Sequence, residues 1–205
     1  MSKLIQKEKI LSQIKDGLIV SCQALESEPL YSSMIMSRMA LAAMQGGARG
    51  IRANTPVDIC AIRQTVELPV IGLTKKTFPG CDVYITPTEA EVDALHDTGC
   101  EIIAMDATRR ERPNGETIDT LFPRLREKYP DQMFMADVAT FEEGVNAERL
   151  GFDLVSTTLA GYTEETHGRN LPDFELMHRL AQALKIPTIG EGGIWSPEEL
   201  KMAME

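Results

Sequence analysis

Seven residues close short apolar runs and carry groups that can hold, donate or take up a proton or bind a polar ligand. They are Gln23, Arg52, Lys75, Asp106, Asp137, Thr157 and Glu191. Several carboxylates, a lysine and an arginine converging on one small polar substrate make a set suited to acid–base chemistry. Lys75 is the sharpest member. Burial at a shared mouth near Arg52 would lower its hold on a proton. It would then serve either as a general base near neutral pH or as a Schiff-base nucleophile. Lys76 follows directly, but Lys75 continues the register of the preceding run and is the one expected to face the site. Glu191 stands in Gly190-Glu191-Gly192-Gly193, where the glycines let backbone and carboxylate come close to a ligand. Gly192 and Gly193 precede a helix start at Ser196-Pro197-Glu198, a reasonable half of a phosphate cradle. The loop 106–115 carries Arg109, Arg110 and Arg112. It reads equally as a phosphate or sugar contact and as a solvated or intersubunit loop. Thr157 and Thr158 add hydroxyls, while His96 and His178 fall on helical patterns and read as structural.

These residues need elements to hold them. Apolar, often β-branched runs lie at 17–22, 50–52, 69–73, 101–106, 133–137, 153–157 and 187–190. Continuous runs of this length, bounded by Gly and Pro, are the pattern of strands buried on both faces. Between them, helical periodicity occupies about 30–46, 55–66, 88–98, 117–129, 140–150 and 173–184. Gly47, Gly99 and Gly151 each end a helix before a strand and are 52 residues apart. A second strand series interleaves with theirs, so one β-α unit takes about 26 residues. Uniform repetition of this kind predicts an α/β fold, a (β/α)8 TIM barrel over 1–205 as one domain, with chemistry at the strand C-termini. Only seven strands are counted, so the eighth β-α unit is expected to be absent from this chain. An open seven-stranded sheet is the other reading, but the Gly-x-Gly-x-x-Gly turn of a dinucleotide-binding version is missing.

Composition limits the partners. Lys plus Arg is 21 and Asp plus Glu is 31, a formal charge of −10. That argues against nucleic acid and against docking on an anionic membrane. No apolar run nears the roughly 18 residues of a membrane span. The first ten residues lack an apolar signal core, so a cytoplasmic location is expected. Cys22, Cys60, Cys81 and Cys100 form no CxxC pair, and no histidine stands at ligand spacing from them. Reduced thiols and no metal site are expected.

The run of motifs resembles a known family. It comprises Ile19-Val-Ser-Cys-Gln-Ala24, Gly50-Ile-Arg-Ala-Asn54, Pro69-Val-Ile-Gly-Leu-Thr-Lys75 and Tyr84-Ile-Thr-Pro-Thr88, then Asp106-Ala-Thr-Arg-Arg-Glu-Arg-Pro113, Met135-Ala-Asp137 and Val155-Ser-Thr-Thr-Leu-Ala-Gly-Tyr-Thr163. Together these look like the N-acetylmannosamine-6-phosphate 2-epimerases of bacterial sialic-acid catabolism, from about residue 17 onward. The resemblance implies a (β/α)8 barrel that interconverts N-acetylmannosamine 6-phosphate and N-acetylglucosamine 6-phosphate without a redox cofactor. It assigns catalysis to Lys75 and Glu191 and substrate contacts to Gln23, Arg52 and Asp137; the strand-end position of Thr157 and the glycine turn at Gly192 and Gly193 make these further expected substrate contacts. The family continues into a further strand with a Gly-Gly phosphate loop and an arginine that this chain does not contain. Barrels of this kind often dimerise, so a homodimer is expected. The chemistry suits the residues: the C2 proton is acidic only when C1 is a carbonyl, so the ring opens first. A base near C2 and an acid near O1 or O5 are then required. Two other readings stay open: a Schiff-base aldolase-type barrel on a phosphosugar, and a non-catalytic phosphosugar-binding barrel.

Overall fold

The computed structural model describes residues 3–205. Helix α1 (Lys3–Ile14) leads into seven strands: β1 (Ile19–Cys22), β2 (Gly50–Asn54), β3 (Val70–Leu73), β4 (Ile102–Asp106), β5 (Met133–Asp137), β6 (Leu154–Ser156) and β7 (Thr188–Ile189). Seven helices follow them in turn: α2 (Ser33–Gln45), α3 (Pro56–Arg63), α4 (Glu89–His96), α5 (Ile118–Lys128), α6 (Phe141–Leu150), α7 (Phe174–Ala183) and α8 (Pro197–Met204). The sheet runs β1-β2-β3-β4-β5-β6-β7 in sequence order, with parallel pairing. This is α/β, with the connectivity of a (β/α)8 barrel carried through seven units. All seven expected strands and the six helices between them are present. Helix α1 was not anticipated.

Helices α3, α4, α6 and α8 start at signals written in the sequence. Thr140 and Glu143 form a reciprocal capping box on α6, as do Ser196 and Glu199 on α8 and Thr88 and Glu91 on α4. Pro56 and Pro197 occupy the first turn of α3 and α8, where a missing N–H costs nothing. Strands β2 to β6 are buried at every position, which explains their unbroken apolar character.

The described chain divides into two compact units. The first takes residues up to Thr77, with Tyr84–Ala104 and Asp131–Met133. In it Gly72 of β3 lies so close to α3 that a Cβ there would meet Ile59 Cδ1 at 2.8 Å and Cys100 Sγ at 2.9 Å. The second takes Phe78–Val83, Met105–Pro130 and Phe134–Glu205. Its core centres on Phe122 of α5, fully buried, stacked on Phe152 at 3.6 Å and edge-on to Phe134 of β5 at 5.4 Å. Arg126 lies over both Phe122 and Phe134 and bonds Asp153 at 2.7 Å. Phe122→Ala removes the centre of this cluster and is expected to cost about 3–5 kcal/mol, read as a lower urea midpoint at unchanged slope.

Candidate active site

Strand register decides which side chains share a face, because successive residues point to opposite sides. In the first unit Ser21 pairs Arg52, Arg52 pairs Ile71 and Asn54 pairs Leu73. Ser21, Arg52, Asn54, Ile71 and Leu73 therefore lie on one side, while Gly72 faces α3 on the other. Gln23 and Lys75, two residues beyond Ser21 and Leu73, extend that first side. The Gln23 amide donates to Ser21 Oγ at 2.7 Å. Arg52 is 3% exposed. Asn54, absent from the expected site, accepts the backbone N–H of Lys75 through Oδ1 at 2.8 Å. Two further links anchor the segment after β3. Thr86 N–H donates to Thr74 C=O at 2.7 Å and Lys76 N–H to Tyr84 C=O at 2.9 Å. The three expected residues of this unit, Gln23, Arg52 and Lys75, thus fall on one face.

The two lysines part company here. Lys76 Nζ bonds Glu91 Oε1 at 2.7 Å, at the start of α4. Burial raises the Glu91 carboxyl, but the Lys76 ammonium and the Thr88 hydroxyl and N–H outweigh it, and its pKa lies below the ordinary value. Lys76 is therefore a helix anchor. Lys75 is exposed, so the burial expected to help loosen its proton is not what the structure supplies.

In the second unit β5 and β6 pair Asp137 with Ser156, and β6 and β7 pair Ser156 with Ile189. Asp137, Ser156 and Ile189 share a side, and Thr158 and Glu191 continue it. Thr158 Oγ1 lies 2.9 Å from Asp137 Oδ1 and 2.9 Å from Glu191 Oε2. Ser156 Oγ is 2.8 Å from Thr158 Oγ1 and 3.3 Å from Glu191 Oε2. Thr157, expected among the substrate contacts, has its hydroxyl on the backbone of Glu191. It donates to the carbonyl at 2.8 Å and accepts from the N–H at 3.0 Å. Fully buried, it fixes the position of Glu191. Gly192 and Gly193 adopt φ of 101° and 71°, and a Cβ at Gly193 would meet Leu171 Cβ at 2.5 Å. Neither position tolerates a side chain in this turn.

Two of the three loop arginines are engaged within their own loop. Arg110 Nη2 bonds Asp106 Oδ2 at 2.6 Å and its Nη1 bonds Asp82 C=O at 3.1 Å. Arg112, 3% exposed, donates to the Asp106 carbonyl. Burial lowers the Arg112 pKa against the pull of Asp106. Thr108 also donates to Asp106 Oδ1 from its N–H and its hydroxyl, at 2.9 and 2.7 Å. Asp106 therefore organises the loop. Among the described residues no group of three or more His, Cys, Asp or Glu side chains could hold a metal ion. All four cysteines are free thiols.

Sequential parallel strands whose C-terminal ends carry carboxylates, a lysine, an arginine and hydroxyls define an α/β-barrel enzyme. The family model described as "Putative N-acetylmannosamine-6-phosphate epimerase" matches residues 36–205, and the chain belongs to that family. A protein of Caldanaerobacter subterraneus subsp. tengcongensis, named as a "Putative N-acetylmannosamine-6-phosphate 2-epimerase", is 53% identical over 196 residues, covering 96% of this chain and 83% of its own length. The solved structure of the N-acetylmannosamine-6-phosphate 2-epimerase from Clostridium perfringens matches with a TM-score of 0.90 at 51% identity, over 95% of this chain and 84% of that one. Thiamine phosphate pyrophosphorylase from Pyrococcus furiosus matches at a TM-score of 0.63 and 16% identity, over 94% and 82%, a likeness of fold alone.

The Lys76–Glu91 pair yields a pH-dependent stability. A depressed carboxyl stabilises the fold above its unfolded pKa and loses that contribution as pH falls through the folded value. Glu91→Gln is expected to be about 1 kcal/mol less stable at neutral pH, with the deficit closing below roughly pH 4 in urea titrations.

Proposed function

We propose that this protein interconverts N-acetylmannosamine 6-phosphate and N-acetylglucosamine 6-phosphate by removing the C2 proton and returning it to the opposite face. The observation that carries the reading is membership of the epimerase family, with about half of the residues identical to relatives named for that reaction. The strand-end chemistry supports it independently. Ring opening at C1 makes the C2 hydrogen acidic, and a base and an acid then suffice without oxidation or reduction. Lys75, on the same face as Arg52 and Gln23, is the base that moves the C2 proton. Glu191 is its acid partner, acting at O1 or O5 in ring opening and at the enediol oxygen. Arg52 supplies a fixed positive charge for an oxyanion, where a charge already in place costs no reorganisation as the reaction proceeds. Gln23 and Asp137 bind hydroxyl or amide groups of the sugar, and the Gly192–Gly193 backbone takes part of the phosphate.

A homodimer in the cytoplasm completes the reading. Support for self-association comes from the second unit, where Trp195 is 89% exposed and Met202 and Met204 are more than half exposed. No helix among the described residues is long and apolar enough to cross a membrane.

Proton NMR of the protein with N-acetylmannosamine 6-phosphate in D2O tests the reaction. N-acetylglucosamine 6-phosphate carrying deuterium at C2 is the expected product, and protium retained at C2 excludes a solvent-exchanging base. In the same assay Lys75→Ala is expected to abolish C2 exchange, a loss of at least about 10²-fold. Lys76→Ala should stay within about threefold of the unaltered protein, since its ammonium serves Glu91. Equal losses in the two variants would remove Lys75 from the base role.

A further inference from the structure

Strand β2 ends at Asn54, one residue short of the next bond in its ladder with β3. Asn54 pairs Leu73, and the Thr55 N–H still donates to the Leu73 carbonyl at 2.9 Å. In a parallel ladder the next bond would carry the Lys75 N–H to the Thr55 carbonyl. Thr55 instead turns out of the sheet to cap α3, at φ 71° and ψ 143°, with Pro56 after it. A β-branched residue at positive φ is held there only by its surroundings. On its other edge the segment after β3 is already paired. Thr86 N–H donates to the Thr74 carbonyl at 2.7 Å and Lys76 N–H to the Tyr84 carbonyl at 2.9 Å, flanking the antiparallel bridge of Lys75 with Ile85. Between such flanking bonds the N–H of the bridged residue points away from its partner. The Lys75 N–H therefore faces β2, and Asn54 Oδ1 meets it there at 2.8 Å. Asn54 is 2% exposed, so packing holds its carboxamide in place.

We propose that Asn54 is a positioning residue for Lys75: its side chain supplies the acceptor that a longer β2 would have offered and fixes where the lysine stem leaves the backbone. The inference rests on the assignment of Lys75 as the base. Lys75 is exposed and its stem is flexible, so the reach of its ammonium depends first on the place of its own Cα. A base must come within hydrogen-bond reach of the proton it takes. Misplacement by about 1 Å costs about 10²-fold in rate, through a group that need not touch the substrate. Two anchors act on the segment from opposite edges. Residues 84–86 hold one, where the Thr86 hydroxyl also accepts the Thr74 N–H at 3.2 Å and donates to the Ala104 carbonyl at 2.7 Å. Asn54 holds the other, and its bond reaches the amide of Lys75 itself.

Asn54→Leu keeps the approximate size and removes the acceptor. Asn54→Asp keeps the acceptor oxygen, with Arg52 on the same face as a counter-charge. The leucine variant is expected to lose about 10- to 100-fold in kcat for C2 exchange, with KM within about threefold. The aspartate variant should recover kcat to within about fivefold of the unaltered protein. Backbone amide exchange reads the bond directly. The Lys75 amide should exchange about tenfold faster in the leucine variant and at its original rate in the aspartate variant, while the Lys76 and Thr86 amides keep theirs. A merely structural role would lower the melting temperature without separating kcat from KM, and aspartate would not restore it. A leucine variant within about threefold in kcat, an aspartate variant as slow as leucine, or an unchanged Lys75 amide overturns the positioning role. Asn54→Ala provides the same contrast with aspartate if the leucine variant does not fold. Lys75→Ala separates this inference from the one beneath it. An inactive Lys75→Ala beside a normal Asn54→Leu removes the positioning role alone. A fully active Lys75→Ala removes the base assignment and the positioning role with it.

Discussion

Side chains of a strand alternate between its two faces, and parallel pairing keeps that alternation in step from one strand to the next. The polar machinery depends on this constraint. One face is given to the helices, and a single close contact shows how tightly: a Cβ on Gly72 would lie within 3 Å of both Ile59 and Cys100. Phe134, on the helix side of β5, is likewise held against Phe122. With that side filled by apolar packing, the residues of opposite parity have no helix to meet. Arg52, Asn54, Asp137 and Ser156 are buried polar groups on that other side. Such burial of polar groups is costly unless they bind one another or a ligand. A one-residue slip of β2 or β5 would send Arg52 or Asp137 into the helix layer and an apolar side chain to the opposite face.

Charge is organised by the same economy. The chain is strongly acidic while its family acts on a phosphorylated sugar, so local placement of cations matters more than net charge. Cations that sequence alone leaves ambiguous are resolved by geometry. Lys76 closes on Glu91 and secures α4, and Arg110 and Arg112 close on Asp106 and shape the loop after β4. These pairs hold segments that follow the strand ends, and rigid segments are what let a site keep sub-ångström geometry. Arg110 and Arg112 are thereby framework of their loop, while register sets Arg52 on the face away from the helices, with Lys75 two residues beyond Leu73.

The strands and the helices between them were legible because apolar runs, helix-ending glycines and capping residues repeat at a nearly constant spacing. Lys75 was separable from Lys76 by parity alone. Other features depend on contacts that no periodicity encodes. Helix α1 carries three lysines, two glutamines and one glutamate and stands ahead of the first unit of the β-α repeat, so the repeat does not announce it. Asn54 is two residues beyond Arg52, and that spacing was a usable signal for its place on the same face. Thr157 and Thr158 show the limit most clearly. Both hydroxyls were visible in the chain, but the pairing of Asp137 with Ser156 decides which one turns toward the carboxylates. The loop from 106 to 115 reads equally as a ligand contact and as a solvated or intersubunit loop, because its arginines suit either. Their inward bonding to Asp106 is a tertiary fact.

Inversion at C2 imposes a further demand that this framework meets in an economical way. The enediol has no stereochemistry at C2, so the outcome depends on which group carries a proton when the intermediate returns to an aldehyde. An acid that lends its proton to an oxygen in forming the enediol takes it back as the aldehyde re-forms, so it must stay in place from one step to the other. Thr158 Oγ1 lies 2.9 Å from Glu191 Oε2, and Thr157 beside it pins the Glu191 backbone. Two adjacent threonines of opposite parity thus divide the work. One holds the Glu191 backbone, and the other meets its carboxylate.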